Sequence, residues 1–428
     1  MTQPGTIPAP ARLHLSSHLA NTSPSVISRT MTAVADRKNQ GHQVLGVHLG
    51  EPDFDTPPHI KEAGIAAILG NDTHYTPMDG SPGLKDAIAH KFARDSGLTF
   101  TRSEIVVSAS AKMMIFMALF ATVEPGDEII IAAPYWGSYI DIAEMLGATP
   151  VVIATRPEDG FRLRAEDLED AITPRTRWLL VNSPCNPSGA VYEHEHYAPV
   201  LDVVARHPQV WLIADDIYEH LVYDGARFVT PLQVRPGLRD RTLTVNGVSK
   251  AYAMTGWRIG YGAGPEKLMH AMRAILSQST SCPSSVSQAA AAAALRGPQD
   301  AVEDYRRQYA ARREIVIGEL NSIPGLDCVT PGGAFYAFPS WKPLIGHLTP
   351  DGERLETDEQ FCRYLLHDFG VAVIPGAPFG APGHFRISYA TSQPILHEAM
   401  TRLRTACSTL TAQRPVPTAR RGSAGRSG

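Results

Sequence analysis

The chain has 428 residues, 43% of them hydrophobic and 19% charged, with a net charge of -4. Such a make-up fits a globular protein with room for one large domain and a smaller one. It leaves no electrostatic footprint for nucleic acid or an anionic membrane surface, and no apolar run approaches the roughly 18 residues that span a bilayer.

Taken in order, residues 1–14 are Pro-rich and expected to be flexible, and "MTQPGTIPAPARLHL" lacks the basic-then-apolar order of a signal peptide. Between about 100 and 265, short β-rich runs alternate with helical stretches. "EIVVSA" (104–109) precedes "KMMIFMALFATV", and "DEIIIAA" (127–133) precedes a segment from Tyr135. "TPVVIA" (149–154), "RWLLVN" (177–182), "VWLIAD" (210–215) and "TLTVNG" (242–247) follow. Runs this short and apolar on both faces predict a mostly parallel sheet covered by helices on each side, an α/β fold. "SQAAAAAALRG" (287–297) reads as a packed helix because alanine favours one. Residues 411–428, rich in Pro, Gly, Ser and Arg, read as a disordered basic tail. The five cysteines (Cys185, Cys282, Cys328, Cys362, Cys407) are scattered without metal-ligand spacing. They predict free thiols in a reducing compartment, hence a cytoplasmic enzyme and no metal site.

Ligands of such sheets bind beyond the carboxyl ends of the strands, and the residues found there are chemically selective. Lys250 follows the "TLTVNG" strand, Asp215 closes "VWLIAD", Asn186 follows "RWLLVN", Trp136 follows "DEIIIAA", and "SASAK" (108–112) follows the first strand. A lysine bonded to a pyridine aldehyde as a Schiff base needs a carboxylate at the ring nitrogen, a role that suits Asp215. The ring oxygen needs donors (Asn186, Tyr218), and the ring face needs an aromatic lid (Trp136). The phosphate needs a helix N-terminus and a cation, here "SASAK" and Arg258. Singly, each residue has a bland reading as surface, turn or core; the set in this chain order does not. "GYGAGP" (260–265) lacks the full dinucleotide glycine pattern, and "EHEH" (193–196) puts two histidines on diverging sides of a helix, unlike zinc ligands.

These motifs resemble the class I, fold type I pyridoxal-phosphate aminotransferases, and within them the bacterial aspartate aminotransferase subgroup. The likeness runs from about Leu15 to Leu410 through "LGEPDFDTP" (49–57), "HYTPMDGSPGLKDAI" (74–88), "PYWGSY" (134–139) and "VNSPCNPSGAVY" (181–192). It continues through "DDIYEHLVY" (215–223), "NGVSKAYAMTGWRIGY" (246–261), "GGAFYAFP" (332–339) and "FRISYATS" (385–392). The resemblance implies a large cofactor-binding domain (51–299) and a smaller α+β domain built from both termini (15–50 and 300–410), with an N-terminal lid segment. It implies that Lys250 carries pyridoxal 5'-phosphate and moves the substrate proton, that Asp215 pairs with the ring nitrogen, and that Asn186 and Tyr218 hold the ring oxygen. Trp136 would stack on the ring, while Ser110, Ala111, Lys112 and Arg258 would hold the phosphate. Tyr75 would reach the phosphate of a neighbouring subunit, which implies a homodimer. Arg386 would clamp the substrate α-carboxylate with the Gly50 backbone, Trp136 and Asn186 assisting, and Lys112 would meet a distal carboxylate.

Departures bear on the substrate. Relatives usually carry Gly-Gly-Lys-Gln or Gly-Ala-Lys-Gln where this chain has Ser110-Ala111-Lys112-Met113. Ser23 stands where some relatives have lysine, Ile27 replaces a common Thr, and His48 precedes Gly50 where small residues are usual. A bulkier, less polar entrance is expected, suited to a different keto acid or to a specialised biosynthetic paralogue. The leading expectation is transamination between an aspartate- or glutamate-like L-amino acid and a 2-oxo acid such as 2-oxoglutarate. The alternatives are a β-eliminating lyase using the same carbanion and a non-catalytic regulator.

Overall fold

The computed structural model describes residues 25–412. The Pro-rich N-terminus, Ser23 and all but two residues of the expected tail lie outside them. Thr411, the first residue of that tail, pairs with Leu348 through two backbone hydrogen bonds, so the ordered chain extends past position 410.

A seven-stranded sheet forms from the β-rich runs, in the spatial order 105–108, 260–263, 242–247, 211–215, 176–182, 128–133, 149–154. All strands point one way except Gly260–Ala263, which lies antiparallel between two neighbours. Successive residues of each inner strand enter different cores. Trp178 and Leu180 pack with the helices Ala111–Thr122 and Glu266–Gln278. Leu179 and Val181 pack on the opposite face, where Pro82–Ser96 and His194–Arg206 lie. A strand covered on both faces has no reason to alternate apolar with polar residues, which is why these runs read as continuous apolar stretches.

The alanine-rich run forms the helix Ser285–Arg296, capped by the Ser284 hydroxyl and packed on Pro58–Leu69 and Pro82–Ser96. "GYGA" is strand rather than phosphate loop, and a helix opens only after Pro265.

A third core joins the helices Asp300–Asn321, Asp358–Phe369 and Gln393–Thr409 to a small antiparallel sheet of Tyr336–Ala337, Phe385–Ser388 and Ile374–Pro375. Leu45–Gly46 pairs in parallel with Val371–Ala372, and the Ser388 amide donates to the Val47 carbonyl at 2.7 Å. These bonds seat the chain just before Gly50 beside the strand that carries Arg386. Tyr218, Leu221 and Tyr223 also enter this core, which fastens the loop after Asp215 to the C-terminal half.

Candidate active site

A cleft of about 360 Å³ opens where the small sheet meets the carboxyl ends of the parallel strands. Every site residue expected from the sequence lines it except Tyr75. Tyr75 is 88% exposed and borders a separate surface hollow with Cys282 and Ser284.

Asp215 ends its strand 3% exposed, with no cation within ion-pair distance among the described residues. Burial pushes its pKa up to about 6, opposed by hydrogen bonds from the Tyr139 hydroxyl and the Ile217 amide and by the charge of Lys250. Tyr139 donates to Oδ2 at 2.7 Å, and the Ile217 amide approaches Oδ1 at 3.4 Å. The Asn182 side chain donates to the Asp215 carbonyl at 2.8 Å and accepts from the Asn186 amide at 2.9 Å. That ladder ties the loop carrying Asn186 to the strand carrying Asp215.

Lys250 lies three residues beyond the end of its strand, and its Nζ donates to the Gly50 carbonyl. Burial lowers its pKa to about 8; the nearby Arg386 charge adds to the effect and Glu51 opposes it. An amine this close to neutrality spends part of its time as a free base, which a nucleophile toward a carbonyl must do. Its Nζ is 5.9 Å from the ring centroid of Tyr218, whose hydroxyl lies 2.7 Å from that of Tyr336.

The phosphate-type corner is built at the start of Ala111–Thr122. Ser110 is its N-cap, with extended backbone (φ -172°) and an Oγ that accepts from the Met113 amide at 3.1 Å. Serine in place of a relative's glycine therefore completes the cap without strain. The amides of Ala111 and Lys112, at the start of that turn, remain as anion donors. Arg258 stands nearby with φ +58°, a left-handed conformation that a non-glycine residue adopts only under constraint from its surroundings. Lys112 Nζ sits 4.7 Å above the Trp136 ring.

Arg386 is 1% exposed on the strand Phe385–Ser388, where Phe385 and Ile387 face the core and Arg386 alternates toward the cleft. Its Nη1 donates to Asn186 Oδ1 at 2.9 Å and its Nη2 to the His48 carbonyl at 2.7 Å, while Nε has no partner among the described residues. No carboxylate pairs with it among the described residues. A buried guanidinium without an anion is expensive, so this end of the cleft is made for one. A Cβ at Gly50 would fall 2.6 Å from the Tyr336 hydroxyl, so that position has no space for a side chain.

Sequence reasoning did not single out Tyr139 or Tyr336, whose hydroxyls reach Asp215 and Tyr218. Tyr139 lies three residues beyond Trp136, in the first turn of the helix Ser138–Met145, and that spacing was the available signal. His48 differs from expectation. Its imidazole is 3% exposed, does not line the cleft, and is held neutral at a pKa of about 4 by burial, Arg386 and Lys38. The apolar part of the entrance instead comes from Ile27 and Met31 of the helix Val26–Asn39, together with Leu49.

The profile of the Aminotransferase class I and II family matches residues 42–403. The chain belongs to that family. The enzyme is 53% identical to an aspartate aminotransferase of Rhizobium meliloti (strain 1021), covering 92% of this chain and 96% of that protein. It is 48% identical to an aspartate/prephenate aminotransferase of Cereibacter sphaeroides (strain ATCC 17029 / ATH 2.4.9), over 92% and 99%. A crystal structure of the aspartate aminotransferase from Rhizobium meliloti superimposes with a TM-score of 0.91 at 52% identity, covering 94% of this chain and all of that one. The Thermus thermophilus aspartate aminotransferase with maleate gives 0.85 at 39% identity, over 92% and 100%. This is an aminotransferase of the fold type I class, in a family that depends on pyridoxal phosphate. No helix among the described residues is long and apolar enough to cross a membrane.

Proposed function

We propose that the enzyme binds pyridoxal 5'-phosphate on Lys250 and moves an amino group between a dicarboxylic L-amino acid, aspartate or glutamate, and a 2-oxo acid. The observation that carries the reading is the buried Arg386 with its unpartnered Nε, placed across the same cleft from the buried carboxylate of Asp215 and the amine of Lys250. The residues fit the cofactor: an anion for a ring nitrogen, hydroxyl and amide donors for a ring oxygen, and a helix start with Arg258 for a phosphate.

Once bound, the cofactor supplies a sink for the electron pair left when the substrate Cα loses its proton. Lys250 takes and returns that proton, Asp215 stabilises positive charge at the ring nitrogen, and Tyr218 and Asn186 donate to the ring oxygen. Arg386 holds the α-carboxylate, and Lys112, over Trp136, meets a second carboxylate. The names of the relatives, which include aspartate aminotransferases, support the dicarboxylic preference. Domains at 51–299 and at 15–50 with 300–410, a homodimer in which Tyr75 completes the partner's site, and a cytoplasmic setting belong to the same proposal.

Borohydride treatment of the loaded enzyme is expected to leave the cofactor fixed to the peptide containing Lys250. Lys250→Ala should lower transamination of aspartate with 2-oxoglutarate by about 10² to 10⁴-fold, the usual contribution of a positioned base. A label on another lysine would refute the assignment. Inert dicarboxylates in a panel of amino donors would refute the substrate class alone.

A further inference from the structure

We infer that Tyr139 is a positioning residue whose hydroxyl keeps Asp215 in the anionic form that holds the cofactor's ring nitrogen. The inference rests on the cofactor reading above and adds to it a residue outside the expected site. Tyr139 is 2% exposed in the helix Ser138–Met145. Its hydroxyl lies 2.7 Å from Asp215 Oδ2, and its ring stands edge-on to Trp136, with centroids 5.4 Å apart and an interplanar angle of 90°. One side chain thus braces both the carboxylate beneath a ring nitrogen and the indole assigned to the ring face.

The direction of the bond follows from burial. Burial and the neighbouring Asp215 raise the phenol pKa well above 10, so the hydroxyl keeps its proton and donates. A hydrogen bond donated to a carboxylate favours its ionised form. Asp215 needs that support, because burial alone drives it toward the neutral acid and no cation pairs with it among the described residues. Among the described residues, its other oxygen has only the 3.4 Å amide of Ile217. The Tyr139 bond is the largest influence opposing protonation. A neutral Asp215 would have no charge with which to retain a proton on the ring nitrogen.

Tyr139→Phe removes the hydroxyl and keeps the ring against Trp136. The test uses cofactor-free protein and compares dissociation constants for pyridoxal phosphate and its 1-deaza analogue, in which carbon replaces the ring nitrogen. Wild-type protein is expected to prefer pyridoxal phosphate. In Tyr139→Phe that preference should fall about tenfold, by weakening pyridoxal phosphate and leaving the analogue unchanged. A purely structural role would weaken both compounds alike, and an unchanged ratio overturns the inference. If Tyr139→Phe does not fold, 3-fluorotyrosine at position 139 keeps the shape and strengthens the donor. The preference should then rise, and a constant ratio again refutes the role. A wild type that binds both compounds equally overturns the inference and spares the cofactor reading; one that binds neither removes both.

Discussion

Arg386, fully buried, and Lys250, partly buried, are both cations with little help from water, and they solve the problem differently. Guanidinium keeps its proton and is braced by Asn186 and the His48 carbonyl. Lysine cannot fork in this way, so Arg386→Lys is expected to lower kcat/KM for aspartate by about 10²-fold, the loss of one to two charged hydrogen bonds, as read by steady-state kinetics. Lys250 yields instead, with its pKa lowered to about 8 from 10.5. Between those two values the unfolded chain binds more protons than the folded one, so stability rises with pH across that window and the full penalty holds below it. Lys250→Met in cofactor-free protein should therefore raise stability at pH 7 by on the order of 1–2 kcal/mol. The gain should close as the pH approaches 10.5. Urea midpoints at both ends of the range measure it, and a gain independent of pH would contradict the burial account. Residue types at strand ends were legible in the sequence. Tyr139 and Tyr336 were not, because an aromatic in an apolar neighbourhood looks the same whether its hydroxyl is used or idle.

Elements meet in the site at two close approaches. The strand Gly260–Ala263 passes the start of the helix Ala111–Thr122 so tightly that a Cβ at Gly260 would lie 2.1 Å from the Ala111 nitrogen. Gly260→Ala is expected to destabilise the protein by about 3 kcal/mol through overpacking, visible as a lower urea midpoint. It should also loosen pyridoxal phosphate, because the amide pushed aside belongs to the corner proposed for the phosphate. A variant of normal stability would show that the contact is slack. The second approach is a buried strut. Lys91, 0% exposed on the helix Pro82–Ser96, pairs with Glu219, which also accepts from Asn246 at 2.8 Å. Glu219 lies four residues after Asp215 and Asn246 four before Lys250, so the Asn246–Glu219 hydrogen bond, braced by the Lys91 ion pair, ties the segments carrying Asp215 and Lys250 together. Strand runs and the alanine-rich helix were readable from local composition. The antiparallel setting of Gly260–Ala263 was not, since direction depends on the path of the connection and not on the residues of the strand.

Across the whole molecule, the cleft joins the sheet to a C-terminal unit that begins well after the last sheet strand, with the helix Val26–Asn39 beside its mouth. Tyr75 remains on the surface, 88% exposed. If it completes a partner's site, mixing Lys250→Ala with Tyr75→Phe protein should produce hybrid dimers in which one of two sites is wild type. Tight pyridoxal phosphate binding and activity should return at one site of each hybrid, about a quarter of all sites after random exchange of an equal mixture. Failure to complement would place Tyr75 in its own chain's site or in none. The sequence by itself determined which chemistry was available, because strand ends in an α/β sheet are fixed by apolar runs and the residues after them are exposed to a ligand by topology. Only the tertiary structure decided how those groups are tuned. Burial of Asp215, its hydroxyl brace from Tyr139 and the orphaned Nε of Arg386 are sums over neighbours from distant parts of the chain, and no local stretch encodes such a sum.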